Sequence, residues 1–204
     1  SQKIASRKSS AKEENNVHPT SRLIFVEHPH VLTLGRSGDA SNVIVSPARL
    51  AELGVDYFPI NRGGDITYHG PGQLVAYPIF DLAQYFTDIH KYLRFLEEAV
   101  IRTCGDFGVD AGRIDGLTGV WIDVDSGINA RKICAFGVKA SRWVTMHGLA
   151  FNVDSDLDFF DLIVPCGITD RGVTTLSKEV GRKVSLEEVK PILKRHLKDL
   201  FEWN

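Results

Sequence analysis

Residues 119–153, with the sequence GVWIDVDSGINARKICAFGVKASRWVTMHGLAFNV, decide the fold class. Three apolar runs within it, at 119–124, 132–140 and 143–153, follow one another with no helical pattern between them. The polar segment 125–129 contains a glycine, as hairpin loops commonly do. Consecutive strands joined by hairpins pair antiparallel, so this stretch predicts a sheet that is mainly antiparallel.

The sequence on either side adds helices and shorter strands. Residues 88–107 carry an apolar stripe at three- and four-residue steps, which predicts an amphipathic helix. A last helix is expected from Ser185, because Glu188 completes a capping box, although Pro191 favours a kink or a later start. Shorter strands are expected at 23–27, 31–34, 55–60 and 74–80, a short helix from Ser46 and a helical turn at 156–162. The predicted class is α+β, a mixed, mainly antiparallel sheet with packed helices.

Composition limits the classes of protein that the chain can be. With 204 residues, 43% hydrophobic and 25% charged, it reads as one soluble domain at 21–204 after a polar arm or helix remnant at 1–20. A net charge of −2 gives no basic field for nucleic acid, and no 18-residue apolar run predicts a membrane span. The only methionine is Met146, so we expect a processed chain or a missing N-terminal piece. We expect a cytoplasmic protein.

Three cysteines without a C-x-x-C pair argue against a disulfide framework and a zinc site, and suit a reducing compartment. Cys104 lies on the apolar stripe and Cys134 inside a predicted strand, so both are expected in the core. Cys166 lies between Pro165 and Gly167 outside regular structure, where a structural thiol and a nucleophile are equally good interpretations. A nucleophilic thiolate needs a nearby base or cation, and sequence spacing does not choose among the candidates His69, Lys132, Lys139 and His147. The seven histidines form no H-x-x-x-H pair, so no metal is expected.

A glycine-rich run, RGGDITYHGPGQ, occupies residues 62–73. It matches neither the P-loop spacing nor G-x-G-x-x-G. Two interpretations remain open from the residues alone, a tight turn or a wall against which a ligand lies.

Four motifs in fixed order carry a resemblance to a known family: RGGDITYHGPGQ at 62–73, KICAFGV at 132–138, MHGLAFNV at 146–153 and IVPCGI at 163–168. The combination resembles the lipoyl(octanoyl) transferases, the lipoate-protein ligase B type, over about residues 22–176. The resemblance implies the biotin/lipoate protein ligase catalytic-domain fold for 21–204. It also implies that an octanoyl group moves from octanoyl-acyl carrier protein to one lysine of a lipoyl domain. The acceptors implied are the lipoyl domains of 2-oxo-acid dehydrogenase complexes and the glycine cleavage H protein.

The resemblance also assigns roles to single residues. Cys166 matches the acyl-thioester nucleophile, and Lys132 the lysine that lowers its pKa and takes the proton of the attacking amine. The acyl-substrate-binding positions are Arg62, Gly63, Gly64, Asp65, Ile66, Thr67, Tyr68, His69, Ala135, Phe136, Gly137, Gly148, Leu149 and Ala150. For His147, orienting the site and bracing it remain equal alternatives. Backbone N–H groups of Gly63, Gly64 or Gly148 are candidates for an oxyanion site.

Thioester exchange is close to energetically neutral, so neither ATP nor another cofactor is expected, and we expect a monomer. The principal alternative is an ATP-dependent lipoate or octanoate ligase of the same fold, which would need no nucleophilic cysteine. A thiol hydrolase with a Cys–His pair and a non-catalytic carrier-binding module are weaker alternatives.

Overall fold

The computed structural model describes residues 21–164 and 172–203. Its strands are β1 (Arg22–Val26), β2 (Val31–Leu34), β3 (Asp56–Pro59), β4 (Ile66–His69), β5 (Gln73–Ile79), β6 (Ala111–Ile114), β7 (Leu117–Ile122), β8 (Arg131–Ser141), β9 (Val144–Asn152) and β10 (Gly172–Val173). Its helices are α1 (Pro47–Glu52), α2 (Ile89–Asp106), α3 (Leu176–Val180) and α4 (Leu186–Phe201).

Two sheets form the framework. The larger has the strand order β1-β5-β9-β8-β7-β6, with β10 beside β8, and the smaller has the order β3-β2-β4. The β2–β3 and β8–β10 pairs are parallel and the other ladders are antiparallel. The α+β class with a mixed, mainly antiparallel sheet is therefore confirmed. The three strands predicted within residues 119–153 correspond to β7, β8 and β9, and the loop predicted between the first two is a 3₁₀ helix, Val124–Asn129.

Helices α2 and α4 cover one face of the larger sheet. The predicted stripe of α2 is buried there, with Leu96, Val100 and Cys104 fully inaccessible. Helix α4 begins at Leu186 behind the capping box and continues through Pro191, so the predicted later start is wrong. The two helices cover only this face of the larger sheet, and other parts of the chain lie against the opposite face.

The smaller sheet forms its own core around Leu32, Ile66 and Tyr68, and it lies over the uncovered face of the larger sheet. Strand β4 falls inside the glycine-rich run, for which no strand is predicted from the sequence. Its alternation of buried and half-buried residues, with Ile66 and Tyr68 buried, explains why it pairs with β2. Strand β6 and helix α3 were also not predicted. Among the described residues, no helix is both long and apolar enough to span a membrane.

Candidate active site

A cavity of about 540 Å³ lies between the two sheets. It brings together motifs that are distant in sequence: the 62–69 segment, β8 and β9 all line it. Every residue to which the resemblance gave a substrate-binding role lines this cavity except Tyr68, and Lys132 and His147 line it too. Cys166 lies outside the described residues.

The floor of the cavity is made of small residues on two adjacent strands. Ala135 pairs with Ala150, and Gly137 pairs with Gly148, across β8 and β9. Alternation along these strands turns their neighbours Cys134 and Phe151 toward the helices instead. A methyl group at Gly148 would lie 2.1 Å from the Ala76 carbonyl oxygen, so only glycine fits there. The result is a trough whose floor is apolar.

Residues 62–64 form a wall of the cavity and are anchored to both sheets. Arg62, 8% exposed, donates from Nη2 to the Thr33 carbonyl (2.6 Å) and from Nε and Nη2 to the Thr33 hydroxyl (3.3 and 3.0 Å). The Gly63 N–H donates to the Val138 carbonyl on β8 (3.3 Å). This amide is therefore already engaged and is not available as an oxyanion donor.

A chain of hydrogen bonds crosses the cavity wall through His69. The Gln73 amide nitrogen donates to the Tyr68 carbonyl (3.2 Å) and to Asn152 Oδ1 (2.9 Å), which leaves Gln73 Oε1 to accept from His69 Nδ1 (2.8 Å). His69 therefore carries its proton on Nδ1, and its Nε2 accepts from the Thr33 hydroxyl (3.3 Å). Burial lowers the pKa of His69 to about 4. The neutral ring of His69 therefore links β4 to β2 and β5 directly, and Gln73 extends the chain of hydrogen bonds to β9.

His69 is expected to make folding stability depend on pH. Its pKa is about 4 in the folded chain, against 6.5 for an unperturbed histidine, so the unfolded chain binds more protons at pH values between these two. Stability should fall as pH is lowered from 6.5 toward 4, by about 3 kcal/mol at most, since one pKa unit corresponds to about 1.4 kcal/mol. Urea unfolding of His69→Gln should show a shallower pH dependence, and His90→Gln, on the exposed side of α2, should not. Equal slopes for the native chain and His69→Gln would contradict the assignment.

Lys132 reaches the cavity because β8 contains a bulge. Val120 pairs with Cys134 but Trp121 pairs with Lys132, so Ile133 has no partner on β7. Ile133 and Cys134 both enter the helix-side core, and Lys132 turns to the opposite face. Its Nζ lies 4.7 Å from the centroid of the Trp121 ring. A regular strand would have aimed Lys132 at the helices.

The strand that follows Cys166 in sequence is fixed beside Lys132. In β10, Gly172 pairs with Arg131 and Val173 with Lys132, and both β10 residues line the cavity. Arg131 donates to both carboxylate oxygens of Glu179 on α3 (2.8 and 2.6 Å), and the Thr174 hydroxyl also bonds Glu179. This bidentate pair holds β10 and α3 against β8 at the residue adjacent to Lys132.

The two described cysteines are core residues, as predicted. Cys104 and Cys134 are free and fully buried. Burial raises the pKa of Cys104 to about 12 and raises the pKa of Cys134 well above its usual value. Neither side chain supplies a thiolate near neutral pH.

Two predicted positions take distinctive places. Tyr68 is fully buried in the smaller core, where it stacks on Phe159 and bonds His30 through its hydroxyl (2.9 Å). It acts there through packing rather than from the cavity surface. His147 has φ +62 within β9, a strained conformation for a non-glycine residue. Burial lowers the pKa of its ring, and the nearby backbone of Asn61 opposes that shift.

Sequence reasoning missed several residues of the site. Trp121, Val75, Tyr77 and Leu117 line the cavity from β5 and β7. Their place in the cavity depends on strand register, which a single sequence does not reveal. Among the described residues, no group of three or more histidine, cysteine or carboxylate side chains could hold a metal ion.

The seven-stranded and the three-stranded sheet thus enclose one cavity that Lys132 lines. The lipoyl protein ligase A/B catalytic domain family matches residues 2–198, so the chain belongs to that family. The bipartite lipoate protein ligase from Thermoplasma acidophilum has the same fold, with a TM-score of 0.71 at 22% identity over 89% of this chain and 71% of that one. Biotin protein ligase from Aquifex aeolicus follows at a TM-score of 0.54 and 16% identity, over 84% and 70% of the two chains.

Within this family the chain groups with the octanoyltransferases. The octanoyltransferase of Cytophaga hutchinsonii is 60% identical over 190 residues, which are 93% of this chain and 78% of that one. The predicted resemblance and the biotin/lipoate ligase fold are therefore both confirmed. The chain is an acyltransferase of the octanoyltransferase type, acting in protein lipoylation.

Proposed function

We propose that the chain transfers an octanoyl group from octanoyl-acyl carrier protein to a lysine of a lipoyl domain, through a thioester on Cys166. The observation that carries the proposal is the single cavity lined by Lys132 and by the three separate acyl-binding segments. Its floor of alanine and glycine suits an extended alkyl chain. The acceptors proposed are lipoyl domains of 2-oxo-acid dehydrogenase complexes and the glycine cleavage H protein.

The first half-reaction forms the acyl-enzyme. A cation beside Cys166 favours its thiolate, and the Lys132 ammonium is the group proposed for this role. The thiolate attacks the octanoyl carbonyl, the bond from that carbonyl to the carrier's sulfur breaks, and the carrier thiolate takes the proton of the Lys132 ammonium and leaves as a thiol. One thioester replaces another, so the step needs no ATP.

The second half-reaction passes the acyl group to the acceptor. The acceptor's lysine must attack as a neutral amine. The base proposed for its proton is Lys132, which is neutral after the first half-reaction. Nitrogen bonds to the octanoyl carbon, the bond to Cys166 breaks, and the thiolate returns with a protonated Lys132. The donor leaves before the acceptor reacts, which is a ping-pong scheme.

Support for Cys166 comes from the other two thiols. Cys104 and Cys134 lie in the helix-side core, and burial raises the pKa of each thiol. Strand β10 pairs with the strand that carries Lys132 and lines the cavity, and it begins six residues after Cys166 in the sequence. Both facts are consistent with Cys166 as the reactive thiol.

Intact-mass spectrometry after mixing with octanoyl-acyl carrier protein tests this function. We expect one octanoyl adduct on the native chain and on Cys134→Ala, and none on Cys166→Ala. An adduct that persists in Cys166→Ala and disappears in Cys134→Ala would overturn the assignment. Release of pyrophosphate on addition of ATP and octanoate would instead identify an adenylate-forming ligase.

A further inference from the structure

Two residues without an assigned role, Gly119 and Trp121, contact the side chain of Lys132. Its methylene chain runs past Gly119 on β7, and its amine ends over the face of Trp121. Gly119 and Trp121 are two residues apart on one strand and so share a face of the sheet. An indole face within about 6 Å attracts an ammonium group, which favours this placement of the lysine.

Only glycine fits at position 119. Its φ is +145, which is accessible to glycine and very unfavourable for residues with a side chain. A methyl group built there would lie 3.1 Å from Lys132 Cε, 3.0 Å from Trp121 Nε1 and 3.3 Å from the Cys134 carbonyl oxygen. A β-carbon at position 119 would therefore press on the lysine stem, the indole nitrogen and the β8 backbone at once.

The backbone of Gly119 is held from the opposite side of the sheet. Its N–H donates to Oε1 of Glu97 on α2 (3.2 Å), whose side chain is fully buried. Oε2 of Glu97 pairs with Arg94 (2.8 Å) and Arg113 (3.0 Å). A buried carboxylate is costly unless it is paired and hydrogen-bonded, and here both conditions are met. The carboxylate fixes one backbone amide directly beneath the stem of Lys132.

We infer that Gly119, held by the buried carboxylate of Glu97, is a positioning residue that aims the Lys132 amine into the cavity. The inference rests on the proposed function in that it assigns the amine to the acyl-transfer site. Gly119 acts only through Lys132. A displaced lysine should affect the rate of transfer far more than the binding of the octanoyl group.

The test compares two alanine substitutions at glycines with positive φ. Gly119→Ala adds strain and the contact with Lys132, whereas Gly108→Ala adds strain at φ +75 with open space around it. We expect kcat for octanoyl transfer to fall about 100-fold in Gly119→Ala, the cost of about 1 Å of misplacement, with little change in KM for the donor. Gly108→Ala should keep both constants. A kcat equal to that of Gly108→Ala would overturn the inference.

A second measurement does not depend on the acyl-enzyme. Competitive labelling of lysines with acetic anhydride, in a Cys166→Ala background, reports the reactivity of the Lys132 amine against pH. Gly119→Ala should change the labelling profile of Lys132 and leave that of Lys139 unchanged; an unchanged Lys132 profile would contradict the inference even if the proposed function fails. Glu97→Gln, which keeps an oxygen acceptor for the Gly119 N–H, should stay closer to the native profile than Glu97→Ala. The reverse order would mean that Glu97 does not help to position Lys132.

Discussion

Octanoyl transfer by Lys132→Met is expected to fall about 100- to 10,000-fold, the usual contribution of a positioned acid or base. Methionine keeps an unbranched stem of similar length beside Gly119 but has no amine. The variant lacks the cation that favours the thiolate and the base that deprotonates the acceptor. Single-turnover transfer to a lipoyl domain, followed by intact mass, measures the loss.

A second readout separates the two roles of Lys132. The midpoint of the alkylation-versus-pH curve for Cys166 should move upward in Lys132→Met, because an ammonium group nearby lowers a thiol pKa. Lys139→Met is the matched control, since Lys139 lies on the same strand but does not line the cavity. A native curve in Lys132→Met would remove the lysine from thiol activation, and native transfer rates would remove it from the reaction.

Lys132 also shows how far the sequence could predict this site. The motif identified the residue, but a strictly alternating β8 would place Lys132 on the same face as Cys134, in the helix core. The bulge at Ile133 reverses that direction, and it depends on the pairing of β7 with β8. Register arises from many weak cross-strand contacts, so a single sequence carries little signal for it. The role of Gly119 was invisible for the same reason.

The burial of the two core cysteines, unlike the direction of Lys132, could be predicted from local sequence. Cys104 was assigned to the core from its position on a helical stripe, and Cys134 from its place in an apolar strand, and both assignments are confirmed. Burial of this kind follows from local periodicity. The hydrogen bonds around His69 do not follow from it, because His69 bonds Thr33 and Gln73 on two other strands and Gln73 in turn bonds Asn152 on a third. Secondary structure was therefore largely predictable, and contacts between sheets were not.

The second large effect is expected from a change in the depth of the trough. Ala150 lies on its floor between Val75 and Ala135, and it is 6% exposed. Leucine at this position would project into the cavity, because the strand backbone beneath it is fixed on both sides. We expect Ala150→Leu to lose octanoyl transfer while retaining transfer of a shorter acyl group such as butanoyl.

The size of the shift follows from the energetics of apolar pockets. One methylene in such a pocket changes the rate ratio about 10- to 200-fold, so exclusion of several should change the octanoyl-to-butanoyl ratio of kcat/KM by at least that factor. Ala51→Leu makes the same substitution on the exposed side of α1 and should leave the ratio unchanged. Thermal unfolding of both variants checks that the fold is retained. Equal losses for the two acyl lengths in a folded Ala150→Leu would mean that the alkyl chain does not lie along β8 and β9. A selective loss of octanoyl transfer places the chain there, because only a steric limit distinguishes two acyl groups with the same reacting carbonyl.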